Sequence, residues 1–150
     1  MIEEDLVLAK VATVDRCMRR IAHATEGKAS KLDDLDAQDI FVLNLQRAVQ
    51  ATIDLAHHLV ASEGLGLPTT LKEAFNLLQQ ESGLSKRLAI RMQAMVGFRN
   101  IAVHDYRALD PIILKTILTD HLEDLRDFCR FALDMAKLND ETLVPNVETK

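Results

Sequence analysis

AQDIFVLNLQRAVQATIDLAHHLVAS, residues 37–62, places Phe41, Leu45, Ala48, Thr52, Leu55 and Leu59 at alternating steps of four and three. That period draws one apolar face along an α-helix, and Val42, Val49, Ile53, Ala56 and Val60 widen it. Gly64 and Gly66 end the run, and Pro68 blocks its continuation. A helix this long and this apolar on one side needs partners of similar length.

The flanking sequence supplies them. Upstream, Val7, Val11, Val14, Met18 and Ile21 predict a helix from about Asp5 to Thr25, with Gly27 as its stop. Lys28 to Asp36 reads as a charged connection with no element of its own. Downstream, Thr70 and Glu73 have capping-box spacing and open a short helix through Leu71, Phe75 and Leu78, broken at Ser82-Gly83. A fourth helix runs from about Ser85 to near Asn100, with Leu88, Met92 and Met95 inward. A fifth begins at Asp110-Pro111. Its stripe is Ile113 or Leu114, Leu118, Leu122, Leu125, Phe128 and Ala132, reaching about Leu138. Short connections favour antiparallel neighbours. The expectation is therefore all-α: an up-down bundle of four main helices plus one short helix over residues 1–138, with a loose tail over 139–150.

Composition agrees. With 5 Gly and 3 Pro in 150 residues, the composition argues against an all-β chain with many tight turns. Aromatics are 4% and Trp is absent, so the core is aliphatic and Met-rich. The net charge of −5 excludes a globally basic nucleic-acid binder. Cys17 and Cys129 are too far apart for a CxxC site and read as small core residues. His57 and His58 point about 100° apart on a helix and do not chelate one ion from one face. His23 and His121 lack companions at ligand spacing. No metal ligand set and no cofactor motif is expected. An acidic start, Met1-Ile2-Glu3-Glu4-Asp5, and the lack of a spanning apolar run suggest a soluble, cytoplasmic protein.

One stretch departs from bundle logic. In register after Leu88, Met92 and Met95 comes Arg99, at the end of an apolar stripe. Five residues on is His104, in the expected linker, and then Tyr106. From Ser82 to His104 there is no Asp or Glu, but Lys86, Arg87, Arg91 and Arg99 give a local charge of +4. A basic stretch in an acidic chain points to an anionic ligand or an acidic partner. Arg holds a phosphate by two parallel hydrogen bonds and stabilises charge in the transition state. An imidazole titrates near neutrality and moves a proton to or from an attacking or leaving oxygen. With a ribose 2′-hydroxyl as nucleophile, neither an external nucleophile nor a cation is needed. That chemistry predicts RNA as substrate, a 2′,3′-cyclic phosphate product, and a two-fold dimer that brings a second His to the cleft. The residues alone leave alternatives open. Arg99 also suits a cap on the helix carbonyls, His104 an ordinary loop histidine, and Tyr106 a ring packed under the fifth helix. Arg16, Arg19 and Arg20 fit a solvated helix face.

The run Arg99-Asn100-Ile101-Ala102-Val103-His104-Asp105-Tyr106 resembles the R-N-x-x-x-H-x-Y signature of HEPN-domain toxins of the HepT group. Asn44-Leu45-Gln46-Arg47-Ala48 with Ile53-Asp54-Leu55-Ala56, and His121-Leu122-Glu123-Asp124-Leu125, extend the likeness over most of the chain. The resemblance implies an all-helical, dimeric RNA endonuclease toxin. Arg99 and His104 would be its catalytic pair and Asn100 an accessory polar residue. It also implies an MNT-type nucleotidyltransferase antitoxin that transfers AMP from ATP to the motif tyrosine, here Tyr106. Lys86, Arg87 and Arg91 then become candidates for contact with RNA or with the antitoxin. Two other readings stand beside this one. One is a non-catalytic dimeric module that binds a nucleotidyltransferase. The other is a helical substrate-binding subunit of a small-molecule nucleotidyltransferase.

Overall fold

A computed structural model of the chain describes residues 1–138; the tail expected over 139–150 lies outside the described residues. Helix α1 spans Glu4–Thr25 and α2 spans Leu35–Ser62, and the two pack along most of their length. Their seam is the predicted one: Val7, Val11, Val14 and Ile21 meet a face of α2 that includes fully buried Phe41, Leu45, Leu55 and Leu59. Helix α3 spans Glu73–Ser82 and α4 spans Lys86–His104. The final run comprises α5 (Pro111–Thr116), a π-helical turn (Ile117–His121) and α6 (Leu122–Met135). Among the described residues no helix is long and apolar enough to cross a membrane.

The helix ends follow local chemistry. Asp34 caps α2 by accepting the Ala37 amide at 2.9 Å, and Ser85 caps α4 through the Leu88 amide at 3.1 Å. Asp110 accepts from the Ile112 amide, with Pro111 in the first turn of α5. Gly83 sits at φ +83°, so the Leu84 amide reaches back to the Leu78 carbonyl and closes α3. At the start of α3, Thr70 Oγ1 accepts the Glu73 amide, while the Glu73 carboxylate binds the amide and hydroxyl of Thr69 and not the Thr70 amide. The reciprocal pair expected between Thr70 and Glu73 is thus shared over two threonines.

Three segments differ from the sequence expectation. The charged connection contains a 3₁₀ turn, Ala29–Asp33, because Leu32 is buried against the bundle and draws the chain inward. Helix α4 continues four residues past Asn100 and ends at His104; Ala102 is buried and holds the extra turn to the core. The fifth helix is not regular. Its π-helical turn adds a residue to the register, which brings Leu114 inward before the turn, Ile117 and Leu118 within it, and Leu125 and Phe128 after it. Leu114, rather than Ile113, is the inward residue at its start.

The core centres on Phe128 of α6, fully buried and edge-on to Phe75 of α3 with ring centroids 5.2 Å apart. Buried Asp15 of α1 is balanced by Arg19 Nε at 3.2 Å and Arg126 Nη1 of α6 at 3.4 Å. Phe128→Ala is expected to cost about 3–5 kcal/mol, a large share of a typical domain stability of about 5–15 kcal/mol. Urea unfolding followed by circular dichroism reads this directly, and an unchanged midpoint would contradict the packing described.

Candidate active site

The motif residues lie on the last turns of α4 and on the 3₁₀ turn that follows, Tyr106–Ala108. Ser85 starts α4 and the buried face of Leu88, Met92, Met95 and Phe98 seats it. Arg99 is half-buried on this helix, and its Nη1 donates to Asn100 Oδ1 at 3.0 Å. That is its hydrogen bond among the described residues; no carboxylate neutralises it. His104 is exposed at the C-terminal end. Five positions on an α-helix are separated by about 7.5 Å along the axis and about 140° around it. Arg99 and His104 therefore span a strip of surface instead of converging on one point. Asn100, four positions before His104, shares that residue's side of the helix.

Asp105 caps the short turn by accepting the Arg107 amide at 3.1 Å. Tyr106 follows, 41% exposed, so its ring edge is open to solvent. Its hydroxyl donates to Asp39 Oδ1 on the first turns of α2, and Gln38 Oε1 lies 3.4 Å away. Burial against α2, then the hydrogen bond and negative charge of Asp39, push the phenol up to about 12. Asp39 is a site residue the sequence did not flag. It is 67 positions from Tyr106, and no local pattern links the two.

The basic residues of α4 do not form one patch. Lys86 and Arg87 are exposed in its first turn, about 18–20 Å along the axis from Arg99. Cations there oppose the helix dipole, so they do not stabilise their own helix. Arg91 is committed elsewhere: its Nη1 donates to Oδ1 of buried Asp124 at 3.2 Å, and His121 Nδ1 lies 3.4 Å from Oδ2 of the same carboxylate. These three groups form the polar end of an apolar cavity of about 480 Å³ between α4 and α5, walled by Ala94, Phe98, Ile101, Leu109 and Ile113. Among the described residues no three His, Cys, Asp or Glu side chains gather at metal-ligand spacing.

The outer face of α4 is unusual for a surface. Ile90 and Ile101 are 54% and 50% exposed, and with Ala94 and Gly97 they form a stripe at helical spacing. Ile112 and Ile113 of α5 add exposed apolar area beside it. A Cβ at Gly97 would meet only Lys72 Nζ at 3.7 Å, so packing within this chain does not require glycine there.

Residues 14–132 match the family model described as Ribonuclease HepT-like. The chain belongs to the HepT-like ribonuclease family. It is 38% identical over 124 residues to mRNA nuclease HepT of Shewanella oneidensis, covering 83% of this chain and 93% of that protein. Solved structures agree with the HepT-like fold. A toxin–antitoxin structure with AMP-PNP has a chain with a TM-score of 0.80 at 37% identity, covering 85% of this chain and 97% of its own. The tri-AMPylated Shewanella oneidensis HEPN toxin in complex with MNT antitoxin also gives 0.80, at 38% identity, covering 86% and 97%. In this HepT-like chain the run from Arg99 to Tyr106 falls where the all-helical bundle ends α4 and turns toward α5.

Proposed function

We propose that this chain is the toxin of a HEPN/MNT toxin–antitoxin pair and acts in the cytoplasm as a metal-independent RNA endonuclease. Arg99, a guanidinium with no carboxylate partner among the described residues, on the same helix end as exposed His104, is the observation that carries the reading. Arg99 binds the scissile phosphate and stabilises the charge that builds on it. His104 takes the proton of the ribose 2′-hydroxyl, whose oxygen attacks the adjacent phosphorus as the 5′-oxygen leaves. The product end is a 2′,3′-cyclic phosphate. Asn100 fixes the guanidinium through its Oδ1.

One chain supplies one imidazole, yet the reaction needs both a base and an acid. The spread of Arg99 and His104 around α4 favours a composite site made by two protomers. The stripe Ile90, Ala94, Gly97 and Ile101 offers the contact, because its two isoleucines expose apolar side chains within about 60° of His104 around the motif helix. Gly97 lets two such helices approach closely. A second copy seated there also covers the mouth of the apolar cavity, of which Ala94 and Ile101 are walls. Lys86 and Arg87 remain outside this strip and face the RNA strand or an acidic antitoxin surface.

Neutralisation follows from Tyr106. The Shewanella toxin of the solved complex is tri-AMPylated and bound to an MNT antitoxin. In this chain, AMP groups on the exposed Tyr106 ring would place phosphates and bulk two residues from His104, where they repel and block RNA.

Incubating the purified protein with total RNA in EDTA tests the nuclease reading. Discrete cleavage with cyclic phosphate ends is expected. Intact RNA would contradict it and favour the binding-module reading.

A further inference from the structure

We infer that Asp39 is the proton acceptor that prepares Tyr106 for nucleotidyl transfer: its carboxylate, on α2, receives the phenolic proton as the oxygen attacks a nucleotide phosphate. The inference rests on the reading of Tyr106 as the modified residue and assigns part of that chemistry to the toxin itself.

The geometry carries the argument. Tyr106 has one hydroxyl proton, and it is directed to Asp39 Oδ1. The neighbouring acceptor, Gln38 Oε1, lies at 3.4 Å and is a weak competitor. Asp39 makes no ion pair among the described residues, so it is not held by a cation in the way that Asp33 is by Lys115 and Asp54 by Lys10. Other charged groups on the elements that meet here are Asp36 on α2, Asp33 with Lys115, Arg99 and His104 on α4, and Asp105 and Arg107 on the turn. None of them hydrogen-bonds the phenol.

The chemistry needs such a group. With its phenol pushed up to about 12, Tyr106 holds only about 10⁻⁵ of its population as phenolate at pH 7. A neutral phenol is a poor nucleophile, and ionising it before attack would waste nearly all encounters. A carboxylate already in contact takes the proton during attack. The co-reactant is ATP held by the MNT-type partner. The Tyr106 Oη–Pα bond forms, the bond from Pα to the bridging oxygen of the β-phosphate breaks, and pyrophosphate leaves with that electron pair. The proton passes to Asp39 and then to water. The same contact keeps the phenol at one place on α2, so Asp39 both aims the nucleophile and receives its proton.

The experiment uses the full chain, its cognate MNT-type nucleotidyltransferase and ATP, with mass spectrometry over time. Asp39→Asn is isosteric and keeps a polar contact. It is expected to slow AMP addition by about 10²–10⁴-fold at neutral pH. Its rate should then climb with pH in proportion to the phenolate fraction, whereas the wild-type rate stays flat. Asp39→Glu should recover part of the rate. As a check that needs no partner, Tyr106 is the single tyrosine and Trp is absent, so near-ultraviolet titration reads this phenol alone. The wild-type phenol should ionise well above pH 10, where an ordinary phenol is half ionised, and Asp39→Asn should ionise at lower pH than wild type, though still above an ordinary phenol because the burial remains. Equal rates for wild type and Asp39→Asn, or a deficit that does not change with pH, would overturn the role of Asp39 alone. No mass gain by wild type, or equal gain by Tyr106→Phe, would overturn the reading of Tyr106 and this inference with it.

Discussion

Replacing His104 or Arg99 by alanine is expected to lower RNA cleavage by about 10²–10⁴-fold while leaving the bundle folded. The magnitude follows from the two roles. A positioned proton-transfer group and a charge-stabilising donor each contribute in that range, and removing both costs far less than the product of the two losses. The expectation of intact folding follows from the structure. His104 is exposed, and among the described residues Arg99 is tied only to its neighbour Asn100. A bland capping role for Arg99 would instead lower stability and leave the rate per folded molecule unchanged. Single-turnover cleavage with matched circular dichroism separates the two. Asn100→Ala should cost less, because Arg99 keeps its charge and loses only its tether.

The second large effect is expected from Ile101→Asp. In the protomer Ile101 is 50% exposed, so an aspartate there removes little from the core. Across a two-fold contact it sets two carboxylates against apolar side chains, which is costly for association. The variant should be monomeric by light scattering, unfold at nearly the wild-type midpoint, and fail to cut RNA although Arg99 and His104 are intact. A dimeric and active Ile101→Asp would remove the α4 stripe from the interface. A monomeric variant with full activity would show that one protomer carries a complete site.

Much of this was legible in the sequence because periodicity reports burial. The faces of α1 and α2 follow from residue spacing, and Gly83, Ser85, Asp110 and Pro111 mark ends by their own backbone chemistry. What escaped were features set by distant contacts. Leu32 is one apolar residue in a charged stretch, too little to announce the 3₁₀ turn that buries it. The last turn of α4 depends on Ala102 meeting the core, so the fourth helix reads short and His104 reads as a loop residue. The π-helical turn leaves no local signature, since a stripe through Leu118 and Leu122 is equally regular on paper. For the site, spacing and charge singled out Arg99, His104 and Tyr106. They did not reveal that Arg91 is held by Asp124, or that the Tyr106 hydroxyl donates to Asp39, because each pairing joins residues far apart in the chain.

The proposed chemistry turns on one atom of the substrate, the 2′-oxygen next to the scissile phosphate. An oligonucleotide cut by the wild-type protein, remade with a single 2′-deoxyribose on the 5′ side of that phosphate, tests this most directly. The expected result is no cleavage at that position and undiminished cleavage at other susceptible sites. Cleavage there at the all-ribose rate would contradict the account, because the nucleophile would then have to come from elsewhere than the strand.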